Sequence, residues 1–254
     1  MRLIARLLVR YRSSLALALF FLLSGANYLY AVDYLDDSSY DAPQSVESIY
    51  DPLEPMNRVI FSFNDHLYVW VLNPVASGYA KAVPGDIRGI ISNFFYNLGE
   101  PIRMVNCLLQ GRFKDSGLTL SRFLINSTAG VFGLADPAAH EFDIPRVSGD
   151  LGQTLAVWGV GDGVYLVIPV FGPSTLRDAT GSFIDDLVRW SYVPWNDDLL
   201  VGGGVYGVRM VNETSFALGQ YEEMKSLSLD PYVAFRNGYF QLRQKRSGNK
   251  KVDN

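Results

Sequence analysis

Residues 86–126, DIRGIISNFFYNLGEPIRMVNCLLQGRFKDSGLTLSRFLIN, decide how the rest of the chain is read. Ile87, Ile90, Ile91, Phe94, Phe95 and Leu98 recur at the spacing of a helix with one apolar side, from an N-cap at Asp86 to a stop at Gly99. Its other side carries Gly89, Asn93, Tyr96 and Asn97, with Arg88 and Ser92 nearby and no carboxylate or lysine after the cap. Pro101 then stands where a first helical residue belongs, and Ile102, Val105, Leu108 and Leu109 repeat the stripe up to Gly111, opposite Arg103, Asn106 and Gln110. Leu120, Phe123 and Leu124 form a third stripe, opposite Thr119, Arg122 and Asn126, before Gly130 ends it. Three successive helices therefore pair an apolar face with a hydrogen-bonding face that is nearly free of acid.

For any single Asn the ordinary meaning is a satisfied polar group inside a soluble helical domain. The repetition points elsewhere. A helix touching lipid or lining a lipid passage needs an apolar side for acyl chains, and uncharged donors with a few Arg for phosphate headgroups.

The same residues carry a family resemblance. Asn93-Phe94-Phe95, Asn97-Leu98, Glu100-Pro101, Val105-Asn106, Leu109-Gln110-Gly111 and Arg122-Phe123 resemble the MlaA/VacJ family of outer-membrane phospholipid-trafficking lipoproteins. So do Asp51-Pro52-Leu53-Glu54, Asn57-Arg58, Phe61 and Phe63-Asn64. The later Gly152-Gln153-Thr154-Leu155, Trp158-Gly159-Val160-Gly161, Gly172-Pro173-Ser174 and Arg177-Asp178 continue the likeness, in order, from about residue 51 to 240.

Composition excludes some classes. The 22 Lys and Arg stand against 26 Asp and Glu, which gives no basic footprint for nucleic acid. Residues 1–31 hold four Arg and no acid, so the chain beyond them has a net charge of −8 and any headgroup recognition must be local. Arg2, Arg6, Arg10 and Arg12 followed by the apolar run Leu15 to Leu23 read as a signal peptide, with cleavage after Ala31. The rival is an uncleaved anchor, since residues 13–32 are about as long as a bilayer crossing requires. Where the family carries a lipidated Cys after a Leu-Ser-Gly-like triplet, this chain has Leu23-Ser24-Gly25 followed by Ala26. The only cysteine, Cys107, falls inside a predicted helix, so neither a lipid anchor at that point nor an internal disulfide is expected.

The predicted organisation is a signal peptide over 1–31, a flexible tether over 32–50, a helical phospholipid-trafficking domain over 51–243 and a basic tail over 244–254. A helix is expected from Leu53 or Glu54 to Leu72, ended by Pro74, with Asn57 and Asn64 repeating the uncharged row. Residues 130–173 read as a semi-ordered excursion in which Thr154–Val157 and Val164–Val170 form short strands flanking the glycines of residues 158–163. Those glycines read as a turn rather than a phosphate cradle, because no strand, turn and helix unit with a distal carboxylate follows. A helix follows Pro173, with Ser174 as its N-cap. Residues 197–211 should be helical, with Gly202-Gly203-Gly204 and Gly207 allowing close helix contact, and residues 214–224 continue it. Asp230-Pro231 opens a last helix to about Arg243.

Catalytic signatures are missing. His66 and His140 have no partner at metal-ligand spacing, no Gly-x-Ser-x-Gly elbow occurs, and Ser174 has no nearby His. The expectation is a non-enzyme without cofactor or metal: a mostly α, single domain of amphipathic membrane-embedded helices around a polar-lined passage, with a short β-hairpin in the middle region. The resemblance implies a phospholipid transporter of the Gram-negative outer membrane, on its periplasmic face, that removes phospholipid from the outer leaflet. Its implied partners are phospholipid, an outer-membrane porin trimer and a periplasmic phospholipid-carrier protein. Asn57, Asn64, Asn93, Asn97, Arg103, Asn106, Gln110, Arg122 and Asn126 are the candidate passage or headgroup residues. Phe61, Phe63, Phe94, Phe95 and Phe123 are their apolar support, and Arg177 and Asp178 belong, on the family reading, to a loop at the passage mouth. On the ordinary reading that pair is a surface ion pair or cap. Replacing Arg103 or Arg122 by Ala should impair lipid movement more than folding; equal loss of both would place the arginine in a structural network. A porin-binding scaffold and a phospholipid hydrolase are the alternatives.

Overall fold

The computed structural model describes residues 49–193 and 199–248. The expected signal peptide with its expected cleavage point, nearly all of the expected 32–50 tether and residues 249–254 of the expected basic tail lie outside the described residues.

The chain enters α1 (Glu54–Leu67), passes through a π-helical turn (Tyr68–Leu72) and continues as α2 (Asn73–Ala82). Pro74 was expected to end this helix and does not. A proline removes one N–H and crowds the carbonyl of the preceding turn, and the wider π turn just before it absorbs both effects. The break comes instead at Val83, held extended (φ −112°, ψ 119°) by the following Pro84. Then come α3 (Gly85–Leu98), α4 (Glu100–Leu109) and α5 (Phe113–Thr128), the predicted trio. Gly111 closes α4: it adopts φ +73°, its N–H reaches Leu108 O, and Arg112 N–H reaches Cys107 O at 2.9 Å, the pairing of a left-handed helix stop.

Residues 151–157 form α7 rather than a strand. Asp136 first caps a short α6 (Pro137–His140); Asp150 then caps α7 (Leu151–Val157) by accepting from Gln153 N–H at 2.7 Å. Gly159 (φ +87°) ends it, with Val160 N–H on Leu155 O. An N-cap and a glycine stop around seven residues are helix signals that outweigh the local strand propensity. The hairpin forms farther on. β1 (Tyr165–Ile168) pairs antiparallel with β2 (Gly172–Thr175), Tyr165 opposite Thr175 and Ile168 opposite Gly172. Ser174 belongs to β2 and is buried, so it is not the cap of the next helix; Thr175 is, accepting from Asp178 N–H at 3.3 Å.

α8 (Leu176–Tyr192) and α9 (Leu199–Thr214) follow. The helix expected to run on past residue 214 breaks, and after Gly219 at φ +89° a separate α10 (Gln220–Leu227) begins. The last helix, α11 (Pro231–Gly248), opens where expected but extends beyond Arg243, so residues 244–248 of the expected tail are helical. In packing, α4 lies on α5, α7 on α8, α9 against α2 and α3, and α11 against α7, α10 and β2. Of the glycines in α9, Gly202 faces Trp190 closely enough that a Cβ would clash, whereas Gly203, Gly204 and Gly207 have open space around their Cβ positions.

Burial runs opposite to the usual pattern. Among the described residues, buried polar and charged side chains outnumber buried hydrophobic ones. An aromatic-rich core cluster joins Tyr165, Val167, Tyr232 and Tyr239 between the hairpin and α11, flanked by Phe61. Meanwhile Trp70, Val105, Leu108, Leu109, Phe113, Leu120, Leu124, Trp158, Leu187 and Val188 are exposed, so the apolar stripes of α4, α5 and α8 face outward. No helix among the described residues is long and apolar enough to cross a membrane.

Candidate functional site

A cavity of about 490 Å³ lies between α3, α4, α8, α9 and the 146–150 segment. Phe95, Tyr96 and Ile102 form part of its wall; Arg103, Arg146, Arg189, Arg209, Asp150, Asp185, Asp186 and Glu213 bring charge of both signs to it. Arg189 pairs with Asp186, and Arg209 Nε lies 2.8 Å from Glu213.

Of the nine polar residues expected to line a passage, only Arg103 is in this wall. Asn93, Asn106 and Gln110 stand one hydrogen bond behind it, through Arg146, Asp185 and Asp150 O, and Arg122 and Asn126 stand two behind it, through Glu100 and Asp136. Arg122, fully buried, gives its Nε to Glu100 (3.1 Å), its Nη1 to Ile144 O (2.6 Å) and its Nη2 to both oxygens of Asp136 (2.9 and 2.8 Å). Glu100, also fully buried, takes Arg103 on its other oxygen at 3.2 Å. Asn126 donates to Asp136 and accepts from Ala138 N–H, tying α5 to α6. Burial pushes the Asp136 carboxyl up, but the Arg122 and Asn126 hydrogen bonds outweigh it and hold the group below its ordinary value. Asn93 accepts from Arg146 at 2.8 Å, and Asn97 donates to Ser127 Oγ at 3.0 Å.

A second chain of bonds supports the opposite wall. Gln110 donates to Thr154 Oγ1 (3.0 Å), Thr154 donates to Asn106 Oδ1 (2.9 Å), and Asn106 donates to Asp185 Oδ1 (3.1 Å). Asp185 also accepts from Leu151 N–H at 2.8 Å, yet burial dominates and raises its pKa to about 6. Cys107 sits behind this wall, fully buried, in a spot so tight that a Cβ on Gly149 would come within 3.0 Å of its Sγ.

Asn57 and Asn64 belong to another construction. Asn57 donates to Tyr165 O (3.2 Å) and accepts from Val167 N–H (2.9 Å); Asn64 donates to Ile168 O (2.9 Å) and accepts from Val170 N–H (2.7 Å). Seven helical residues rise roughly 10 Å, about the length of three strand residues, so two asparagines two turns apart fit one strand edge. Their amides act as a third strand beside β1. Arg177 and Asp178 lie in the first turn of α8 rather than in a loop. Asp178 is buried, 3.0 Å from Arg177 Nε and 2.8 Å from Arg243 Nε, and accepts from Tyr239 OH, so the pair is a buried lock onto α11 rather than a surface ion pair. Among the aromatics, Phe95 is in the cavity wall next to Phe94, Phe61 packs on Tyr232 and Phe235, Phe63 is exposed, and Phe123 is half-buried.

Arg146, Arg189, Arg209, Asp185 and Asp186 are among the charged wall residues that lie off the acid-free helix faces. Their one sequence signal is a pair, Asp185-Asp186 followed by Arg189 one turn on.

The comparisons agree with this architecture. Residues 49–246 match the family model described as MlaA lipoprotein. The chain is 33% identical over 198 residues to the intermembrane phospholipid transport system lipoprotein MlaA of Haemophilus influenzae, covering 75% of this chain and 76% of that one. The protein of the same name from Escherichia coli K12 is 33% identical over 201 residues, with coverages of 75% and 76%. A solved chain from work on the structural basis for maintenance of bacterial outer membrane lipid asymmetry superposes with a TM-score of 0.69 at 35% identity, over 78% of this chain and 99% of that one. With nearly every described residue inside the family match and the same fold in a solved relative, the chain belongs to the MlaA lipoprotein family.

Proposed function

We propose that this protein moves phospholipid at the Gram-negative outer membrane, taking it from the outer leaflet and passing it toward a periplasmic carrier, which maintains lipid asymmetry. The observation that carries this reading is the inverted burial: apolar helix faces outside, a charged and hydrogen-bonded interior, and a cavity of about 490 Å³ within it. Such a body keeps acyl chains in bilayer hydrocarbon while the headgroup meets polar walls, avoiding the large cost of a charged group in hydrocarbon. The outward stripes on α4, α5 and α8 supply the membrane face, lying in the leaflet rather than across it. A porin beside the protein and the periplasmic face of the outer membrane as its residence complete the scheme. No bond is made or broken in it.

The test is lipid transfer from labelled vesicles to a periplasmic lipid carrier, with the wild-type chain and Arg103→Ala. Transfer by wild type and a several-fold loss in the variant, at unchanged melting temperature, supports the reading. Membrane and porin binding without lipid transfer would instead leave a scaffold, and release of lysolipid or fatty acid would make it a hydrolase.

A further inference from the structure

Tyr96 gathers three guanidiniums. The Cζ atoms of Arg103, Arg146 and Arg122 lie 3.8, 4.3 and 5.6 Å from its ring centroid. Two carboxylates, Glu100 and Asp136, serve all three, which leaves one positive charge in surplus. Arg122 is consumed by its bonds to Glu100, Ile144 O and Asp136. Asp136 is close to saturated as well, since it accepts from Arg122, Asn126 and Ala139 N–H, and its contact with Arg146 is the longest at 3.3 Å.

Arg103 and Arg146 differ from Arg122 in having donors to spare. Arg103 engages its Nε with Glu100 and its Nη2 with Tyr96 O, while Arg146 engages its Nη2 alone, with Asn93 and Asp136. Their remaining N–H groups have no acceptor among the described residues. Both side chains line the cavity, and Arg146 is 45% exposed. Like charges held together repel, and the Tyr96 ring offsets only part of that cost through its π face. Two guanidiniums with idle donors, both packed on the Tyr96 ring and both lining the cavity, match an anion whose oxygens accept from several directions at once.

We propose that Arg103 and Arg146, aligned by Tyr96, clamp the phosphodiester of a glycerophospholipid headgroup in the cavity. The inference rests on the phospholipid-transport reading and adds the atoms that recognise the lipid. The surplus of one charge in this cluster balances the single negative charge of a phosphodiester, whereas a lipid without phosphate offers these donors only neutral ester and hydroxyl acceptors. Arg146→Gln is the informative variant, because Asp136 keeps Arg122, Asn126 and Ala139 N–H when Arg146 is gone.

The experiment measures binding to the full chain in detergent micelles by native mass spectrometry. The probes are phosphatidylglycerol, diacylglycerol with the same chains, and inorganic phosphate. Wild type should bind phosphatidylglycerol roughly ten-fold more tightly than diacylglycerol, Arg146→Gln should abolish that preference at unchanged melting temperature, and Arg146→Lys should recover part of it. Equal binding of the two lipids by wild type, or an unchanged preference in Arg146→Gln, overturns the clamp and leaves lipid transport standing. Binding of neither lipid overturns the transport reading and the clamp with it. Arg146-dependent binding of inorganic phosphate without phosphatidylglycerol assigns the site to a free anion and overturns the headgroup assignment.

Discussion

Arg122 and Arg103 look interchangeable in the sequence, one polar residue each on neighbouring helices, but their surroundings separate them. Arg122 and Glu100 are both fully buried, and Asp136 nearly so. Removing Arg122 would leave buried Glu100 with Arg103 alone and Asp136 with Asn126, Ala139 N–H and the long Arg146 contact, a loss of about 3 kcal/mol by the behaviour of broken buried ion pairs. Thermal unfolding of Arg122→Ala should therefore show a large stability loss before any transport defect can be assigned, whereas Arg103→Ala should not. Asp185 provides a second residue-level prediction. Its folded pKa, raised to about 6, exceeds the ordinary carboxylate value, so the folded state binds a proton between those two pH values that the unfolded chain does not. This group favours folding increasingly as pH falls through 6 and opposes it as pH rises. Comparing melting temperatures at pH 5 and pH 7.5, the wild type should gain more on acidification than Asp185→Asn; an identical pH response in both would sink the assignment.

The asparagines of α1 show what periodicity reveals about an element and what it hides. Their spacing is visible in the sequence, and so is the helix that carries them. Their partners are not, because Tyr165 and Val170 lie about a hundred residues away and nothing local announces a strand edge. An amide row reads the same whether it faces a lipid passage or replaces a missing strand. Asn57→Ala should leave Val167 N–H and Tyr165 O without their partner, costing about 1–3 kcal/mol for each buried group. Amide hydrogen exchange at Val167 should accelerate markedly while the α5 core keeps its protection. The helices 85–128 were legible because apolar spacing, prolines and glycine stops agreed. Of the two strands expected around the glycines, Val164–Val170 contains β1, whereas Thr154–Val157 is the end of α7, where the Asp150 cap and Gly159 stop outweigh a short β-prone run; Pro74 does not end its helix because a π turn, which leaves no mark in composition, precedes it.

At the scale of the whole molecule, what the sequence carried was amphipathicity without its direction. Stripes on three helices can face a core or face fat, and only the folded arrangement shows Val105, Leu108, Leu120 and Leu124 pointing out over a charged interior. The cavity wall was less legible than the fold, since it draws Arg146 from a loop and Arg189 and Arg209 from helices read as ordinary. If the outward faces meet acyl chains, emission from Trp70 and Trp158, 73% and 57% exposed, should be quenched in vesicles whose lipids are brominated along the chain. Emission unchanged from that in unbrominated vesicles would mean that neither indole reaches hydrocarbon.

Cys107 turns this arrangement into its own clock. A thiol with Gly149 pressed against it and no second sulfur to pair with reacts with an alkylating reagent only when α4 and the 148–150 segment separate. Since that seam borders the charged hollow, labelling kinetics at this one sulfur would time the breathing of the wall, with and without lipid, on a chain that needs no introduced label.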